Sequence, residues 1–387
     1  MLAATVRVTR DLDLAEECVQ DAFAKAVTEW QTDVPRNPGA WLTTVARNRA
    51  LDLLRREQHL RRLLPLLVEE EVAPEEPEHT DLLRLVFTCC HPSLALESQV
   101  ALTLRLLCGL STADVAHAFL VSEPTMAARI TRAKKKIATA RIPYRVPDAE
   151  DLPARVDSVL TVLHLLFTTG HSAPNGSELV RDDLTRRALL LTRMLHTLLP
   201  TPEVGGLLAL ILLGEARKTT RTHDGRLVLL EHQDRSRWDR NLIDEALSLV
   251  RQALRAGPPG QYALQAAIAA VHADAMSYEE TDWREIAALY ALLQQRWPSP
   301  IVALNRAVAI GLSDGPEAGL RALDALAEEP MLATYGYFPA ARADFLRRLG
   351  RTSEARVAYG EALLLTENEV EREFLQSRLS GLDADHP

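Results

Sequence analysis

The run Ser111–Lys136, STADVAHAFLVSEPTMAARITRAKKK, constrains the fold more than any other stretch of the chain. It reads as two short helices joined by a tight turn. Ser111 or Thr112 is placed to cap the first helix, because a hydroxyl there accepts an orphan N–H of the first turn. Val115, Ala116 and Phe119 then share one face. Leu120 and Val121 make the turn. Ser122 caps the second helix, and Pro124 is tolerated in its first turn because no helical hydrogen bond is lost there. Met126 and Ile130, one turn apart, hold the second helix on the first. Arg129, Arg132, Lys134, Lys135 and Lys136 point elsewhere, toward solvent or phosphate. A basic second helix after a short turn fits a helix-turn-helix that enters the DNA major groove. An ordinary helical hairpin with a solvated basic end fits the same residues.

The distribution of charge separates these readings. The chain has 387 residues, enough for two or three domains, and a formal charge of −9. Such a charge argues against coating nucleic acid through bulk attraction. Yet residues 82–145 carry nine basic and three acidic side chains, whereas residues 69–81 (EEEVAPEEPEHTD) carry seven acids and no base. Positive potential is thus concentrated on the segment that holds the helical pair. The four cysteines, Cys18, Cys89, Cys90 and Cys108, lie in apolar, helix-like contexts and lack Cys-x-x-Cys spacing. They read as buried free thiols of a reducing, cytoplasmic compartment. His91 follows Cys89 and Cys90, but no fourth ligand is evident, so neither a metal nor another cofactor is expected. The chain shows no signal peptide, and its longest apolar stretch, Gly206–Gly214, is too short to span a bilayer, so no membrane partner is expected.

Upstream, residues 1–30 carry a helical pattern with Leu14, Cys18 and Phe23 apolar, and Asp11 or Asp13 is placed as its cap. Residues 35–38 (PRNP) break it. Gly39–Arg56 then forms a long helix whose inward stripe is Trp41, Leu42, Val45, Ala46, Leu51 and Leu54. Its other side holds Arg47, Asn48, Arg49, Asp52, Arg55 and Arg56, groups that grip a phosphate backbone and read unstacked bases, or simply face solvent. Asp81–Cys90 and Leu94–Leu107 are two further apolar helices, interrupted at His91-Pro92.

The ordered triplet LAEECVQDAFAKAV (14–27), NPGAWLTTVARNRALDLLRR (37–56) and GLSTADVAHAFLVSEPTMAARITRAKKKI (109–137) resembles the extracytoplasmic-function (ECF) sigma factors of bacterial RNA polymerase. The first two stretches are similar to sigma region two and the third to region four. The resemblance implies that Glu16, Glu17, Gln20, Asp21 and Phe23 dock on the β′ clamp helices of the polymerase core. It implies that Trp41 (chiefly as core packing), Arg47, Asn48, Asp52, Arg55 and Arg56 serve the minus-ten element. Ser122, Thr125, Arg129, Arg132, Lys134, Lys135 and Lys136 would serve the minus-thirty-five element, with region four on the β flap. Residues 83–111 resemble one ECF subgroup in particular, whose members carry a long helical C-terminal extension in place of a dedicated anti-sigma protein. Two departures stand out. Only thirteen residues precede Leu14, so the first helix of region two is expected to be shortened. The turn position where the family often has Gly is Leu120, so the turn is expected to use another geometry.

The expected fold class is all-α: region two at 1–66, an acidic linker at 67–81, region four at 82–145 and a helical extension at 146–387. Helical patterns recur there at Ala154–Thr168, Glu178–Leu199, Pro202–Lys218, Arg240–Ala256, Tyr262–Met276 and Asp282–Trp297, and Arg226–Leu230 is the one strand candidate. Ala318, Ala322 and Ala325 recur as Ala355, Tyr359 and Ala362, 37 positions on, which resembles tetratricopeptide repeats over about 300–382. Such repeats imply a regulatory protein or peptide partner; a helical domain that merely braces region four is the other reading. Gln233–Asp239 is polar enough to be a buried hydrogen-bonded junction or a ligand loop. His164, Asp182, Asp183, Arg217, Arg237 and Trp283 are scattered pocket candidates that nothing in the sequence brings together. The chain carries no nucleotide-binding or hydrolase motif and is not expected to be an enzyme. The function expected is promoter-directed transcription initiation with core polymerase. The rival is a helix-turn-helix regulator with a repeat domain that never joins polymerase.

Overall fold

The structure, a computed structural model, describes residues 1–30, 34–61, 78–119, 121–148 and 150–384. It is all-α apart from four two-residue strands among the described residues. The chain divides into two compact units, Met1–Leu166 and Phe167–Pro387.

The first unit begins with α1 (Leu2–Thr9), α2 (Leu12–Glu29) and α3 (Pro38–Arg61), which pack on one another. Arg10, in the left-handed region at φ 54°, ends α1, and Asp11 caps α2 by accepting from the Asp13 and Leu14 amides at 2.8 and 2.9 Å. Ala22 and Ala26 of α2 meet Leu42 and Ala46 of α3. Small side chains there let the helices approach closely, and Trp30 closes the end edge-on to Trp41, with ring centroids 5.3 Å apart.

The rest of the unit is built from α4 (Glu78–Cys89), α5 (Leu96–Leu102), a π-helical turn (Thr103–Leu107) that continues α5, α6 (Thr112–Ala118) and α7 (Glu123–Thr139), with α8 (Leu152–His171) next along the chain. The helical pair is as expected at its ends. Ser111 Oγ accepts from the Asp114 amide while Asp114 Oδ2 accepts from the Ser111 amide, a reciprocal cap. Ser122 caps α7 by accepting from Thr125. Val115, Met126, Ile130, Ala133 and Ile137 are buried as one seam. Leu120, the departure from the family pattern at the turn, lies outside the described residues.

The α1–α3 bundle and the α4–α7 group form one body. Asp81, at the start of α4, is buried with its side chain 2% exposed and sits 3.5 Å from Arg7 and 3.3 Å from Arg84. The Tyr144 hydroxyl shares its proton between the carbonyls of Ala3 at 2.8 Å and Asp81 at 3.0 Å. Burial pushes that phenol above its usual range, with the Asp81 charge adding to the effect.

In the second unit α9 (Asp182–Leu198), α11 (Arg240–Arg255) and α12 (Gln261–Asp274) surround α10 (Pro202–Ala216). The sequence of α10 is apolar on every side, which suits only a helix buried all round. From α12 onward, α13 (Trp283–Arg296), α14 (Pro300–Ser313), α15 (Pro316–Asp324), α16 (Tyr337–Arg348), α17 (Thr352–Leu365) and α18 (Glu369–Ala384) each pack on the next, as stacked helical hairpins do. β1 (Asn175–Gly176) pairs in parallel with β4 (Glu367–Asn368), far along the chain. Beside that pair, Asn368 is 0% exposed, and its amide donates to the carbonyls of Ala173 and Glu178 at 3.0 and 2.9 Å. Its Oδ1 accepts from Val370 and Glu371, capping α18. One side chain thus fastens the last hairpin to the start of the unit.

Two sequence expectations shift. The strand expected at Arg226–Leu230 is only β3 (Arg226–Leu227), paired with β2 (Thr222–His223) across Asp224 and Gly225, both at positive φ, and Leu230–His232 is a 3₁₀ turn. The repeat register moves by one in its first copy. Ala355, Tyr359 and Ala362 are buried in α17, but α15 buries Gly319, Leu320 and Leu323 instead of Ala318, Ala322 and Ala325. α15 ends at Asp324, before the third expected position, and Gly319 abuts the Phe345 ring, where a Cβ would come within 2.5 Å.

Gly205 and Gly206 of α10 separate helix propensity from packing. A Cβ on Gly206 would lie 2.5 Å from the Ala263 backbone nitrogen of α12, whereas one on Gly205 would meet nothing nearer than 3.6 Å. Alanine gains about 1 kcal/mol over glycine inside a helix. Gly205→Ala should therefore leave stability unchanged or raised, and Gly206→Ala should lower it by about 1–3 kcal/mol through overpacking. Urea unfolding followed by circular dichroism checks the sign; equal effects at both positions would show that α10 and α12 do not approach so closely.

Candidate nucleic-acid interface

The candidates on α2 divide between two faces. Glu17, Gln20 and Asp21 are exposed, and Phe23 is 49% exposed, unusual for an aromatic ring with no partner to cover it. Asp21 accepts from Arg49 of α3 at 2.8 Å. That hydrogen bond raises the Arg49 pKa. Glu16 turns inward. On α3, Trp41 packs on Trp30, Arg47 is half-buried, and Asn48, Asp52 and Arg55 are exposed. The Arg56 side chain is outside the described residues.

On α7, Ser122 and Thr125 share a hydrogen bond of 2.8 Å at the exposed first turn. Arg129 stacks its guanidinium 5.6 Å from the Phe119 ring centre. Lys136 donates to the Ser93 carbonyl. Arg132 and Lys135 are exposed and have no side-chain partner among the described residues. Lys134 behaves differently from its neighbours. Its side chain is 11% exposed, and its ammonium donates to Asp13 at 2.7 Å and to Glu16, both on α2. Glu16, 16% exposed, also takes Arg105 at 3.3 Å. Burial on its own would lower the Lys134 pKa, but the hydrogen bonds from Asp13 and Glu16 outweigh it and raise the pKa. Two expected sites, Glu16 for polymerase and Lys134 for DNA, are brought together as partners of each other.

Sequence reasoning did not find Asp13, Arg105, Asp81 or Tyr144 as joining residues. Each is an ordinary polar residue in its local context, and no local pattern announces a partner on a distant stretch of the chain. The cysteines next to His91 are packing residues. Cys89 and Cys90 are buried, and burial pushes the Cys90 thiol up to about 12. His91 pairs through Nδ1 with Ser93 Oγ at 2.6 Å, and no group of three or more His, Cys, Asp or Glu is placed to hold a metal ion among the described residues. No helix among them is long and apolar enough to cross a membrane.

The scattered pocket candidates have separate fates. Asp182 pairs with Lys218, Asp183 with Arg181, and Arg237 is exposed. Trp283 lies edge-on to His272 at 5.1 Å, and the charge of Arg217 reaches the same histidine. His164 belongs to the first unit. The polar run Gln233–Asp239 is a hydrogen-bonded junction. Gln233 donates to the Val228 carbonyl, Arg235 donates to the carbonyls of His272 and Ala275, and Trp238 donates to Thr220 Oγ1.

A helix-turn-helix with an exposed basic face, docked on a bundle with exposed Gln, Asp and Phe, defines a two-region nucleic-acid-binding protein. Residues 2–60 match the family Sigma-70 region 2, and residues 84–137 match Sigma-70, region 4. Residues 155–254 match a family of unknown function, DUF6596. An uncharacterized protein of Rhizobium meliloti (strain 1021) is 43% identical over 397 aligned residues, covering 99% of this chain and 93% of that relative. No solved structure matches the chain. The chain belongs to the sigma-70 family, as a factor of the extracytoplasmic-function type with a helical C-terminal extension.

The Glu16–Lys134 contact is open to a double-mutant cycle on the full chain. Partly buried charge pairs with shared hydrogen bonds couple more strongly than exposed ones, which give about 0.2–1 kcal/mol. Glu16→Gln with Lys134→Met should return a coupling above about 1 kcal/mol in urea unfolding. A coupling near zero would reduce the contact to a surface pair.

Proposed function

We propose that the chain is a promoter-specificity subunit that directs core RNA polymerase to its promoters. The reading is supported above all by the two sigma regions occurring in order on one body, each keeping an exposed polar face. Gln20, Asp21 and Phe23, with Glu17 beside them, dock on the β′ clamp helices. Phe23 supplies the apolar anchor and the acids fix its register. Arg47, Asn48, Asp52, Arg55 and Arg56 capture bases of the minus-ten element, and Trp41 holds their helix from behind. The cost of unstacking those bases, about a few kcal/mol, is offset by contacts made only with the flipped base. Ser122, Thr125, Arg129, Arg132 and Lys135 meet the minus-thirty-five element, with region four on the β flap. Nucleotidyl transfer remains the work of the polymerase core, and this subunit acts by position alone.

The Glu16–Lys134 contact gives the free chain a closed form. In that form Lys134 is neutralised by carboxylates and does not meet phosphate. Holoenzyme assembly exchanges these partners: Glu16 joins the polymerase-facing acids while Lys134 joins Lys135 and Lys136 on the DNA. The extension regulates this cycle, and the stacked hairpins from α14 to α18 supply a surface for a protein or peptide partner.

Co-purification of the full-length chain with core polymerase, followed by run-off transcription, tests the reading. Asp21→Ala with Phe23→Ala should abolish both core binding and transcripts while leaving the circular dichroism spectrum intact. Sequence-specific DNA binding that persists without any core binding would favour the rival regulator. In the holoenzyme, Arg132→Ala and Lys135→Ala should each weaken promoter binding and reduce the slope of log affinity against log salt by about 0.9. An unchanged slope would leave these two side chains as solvated charges.

A further inference from the structure

The second unit holds three guanidiniums, those of Arg217, Arg221 and Arg235, that form no ion pair with a carboxylate among the described residues. Arg217 ends α10, and its carbonyl accepts from the Thr220 amide and hydroxyl at 3.1 and 2.8 Å, which fixes the turn. Its guanidinium has no hydrogen bond and no ion pair among the described residues. Burial is the largest influence on it and lowers its pKa; the charge of Arg235 lowers it further, and Tyr290 acts the other way. The residue nevertheless keeps accessible surface, and none of its nitrogens is among the sealed, unpartnered atoms. The guanidinium is thus surrounded by protein on most sides and still reachable from outside.

The neighbours sharpen this. Arg221 donates to the His171 carbonyl and to Ser172 Oγ, and Arg235 donates to two carbonyls and to Thr281 Oγ1 with its plane 5.0 Å from the Trp238 ring centre. These acceptors are neutral, so both side chains are held in place with their positive charge intact. His171 and His272 flank Arg217, and each has a buried Nδ1 with no partner. Both imidazoles stay neutral, their pKa values pushed to about 2 and about 3 by burial and by the arginines. The charges of Glu279 and Glu280 reach Arg235 and that of Glu371 reaches Arg221, but no carboxylate is among the charges that act on Arg217. Glu371 is already bonded to the Tyr337 hydroxyl at 2.5 Å, and burial raises its own pKa.

An enclosed cation without a counter-charge is strongly unfavourable, and a chain under no other constraint would replace it with an apolar residue. An anion removes the penalty. Guanidinium is the group best shaped for it, since it meets a carboxylate or phosphate through two parallel hydrogen bonds. We propose that Arg217 anchors a binding recess in the C-terminal unit for a small organic anion bearing a carboxylate or phosphate, with Arg221 and Arg235 supplying the surrounding positive field and Tyr290 and Trp283 giving an aromatic wall for the rest of the ligand. The recess makes the extension a small-molecule receptor in addition to any protein partner.

Thermal unfolding and titration calorimetry on the full-length chain test this with acetate, benzoate, inorganic phosphate and phenyl phosphate, each against sodium chloride of matched ionic strength. At about a hundredfold excess over its dissociation constant, a bound probe should raise the melting temperature of the second unit by about 5–10 °C. The aromatic members should bind tighter than acetate and phosphate, and the carboxylate and phosphate arms decide which oxyanion is preferred. Arg217→Lys keeps the charge but loses the paired donors and should weaken binding at least tenfold. Arg217→Met should abolish the shift without lowering the melting temperature in anion-free buffer. No shift with any of the four probes, or a shift that survives in Arg217→Met, overturns the proposal. The readout is binding rather than transcription, so its failure and that of the sigma reading are distinguishable.

Discussion

The first unit depends on a carboxylate that lies between two cations. Glu16 of α2 meets Lys134 of α7 and Arg105 of the π-helical turn, and Asp13 adds a second acceptor for Lys134. Tyr144 and Asp81 work the same joint from the other end, where one phenol bridges the carbonyls of Ala3 and Asp81. Hydrogen-bonded polar contacts of this kind set register and geometry more than they add net stability. They suit the exchange proposed above, in which the joint holds in the free chain and opens on polymerase. A continuous leucine seam would have offered no comparable means of release, because new charged partners can compete for a charge pair but not for buried leucines.

Backbone proximity governs the second unit instead. Gly206 brings α10 against the start of α12, and Gly319 brings α15 against Gly311 and the Phe345 ring. Each glycine gives up about 1 kcal/mol of helix propensity relative to alanine, and the closer packing offsets it. Phe345 fills the space left by two glycines, so one ring sets the spacing of three helices. Asn368 then fixes the end of the stack to the start of the unit with two hydrogen bonds from its amide nitrogen, while its amide oxygen caps α18 with two more.

What could be read from the chain depended on the distance over which each signal acts. Caps were legible, because Asp11, Ser111 and Ser122 act within three residues of their own positions. The inward stripe of α3 and the all-round apolar α10 were legible from periodicity. The region-two and region-four motifs were legible because each is a contiguous pattern. The π-helical turn at Thr103–Leu107 was not, since TLRLL carries no glycine, proline or capping residue to mark it. The repeat register was misjudged by one position because alanine and glycine both signal close approach, and Gly319 is the one that touches. The exposure of Gln20, Asp21, Phe23, Arg132 and Lys135 was legible, but the pairing of Glu16 with Lys134 was not. Acidic and basic residues on separate helices have many possible partners, and only tertiary geometry chooses among them.

Two arginine environments in the second unit show why neutralisation, rather than burial alone, marks a binding residue. Arg193 meets Glu245 through both terminal nitrogens, at 2.5 and 2.7 Å, and this hydrogen bonding raises its pKa. Its planar fork is fully used, and nothing about it calls for a ligand. Arg217 has the same fork, deeper in the protein and with no acceptor, beside two more cations and two neutral imidazoles. Desolvation disfavours its charge, and yet guanidinium cannot escape by losing a proton at any ordinary pH. A lysine in that place would neutralise itself. The choice of arginine commits this place to a permanent positive charge, and that charge is what the proposed anion would meet.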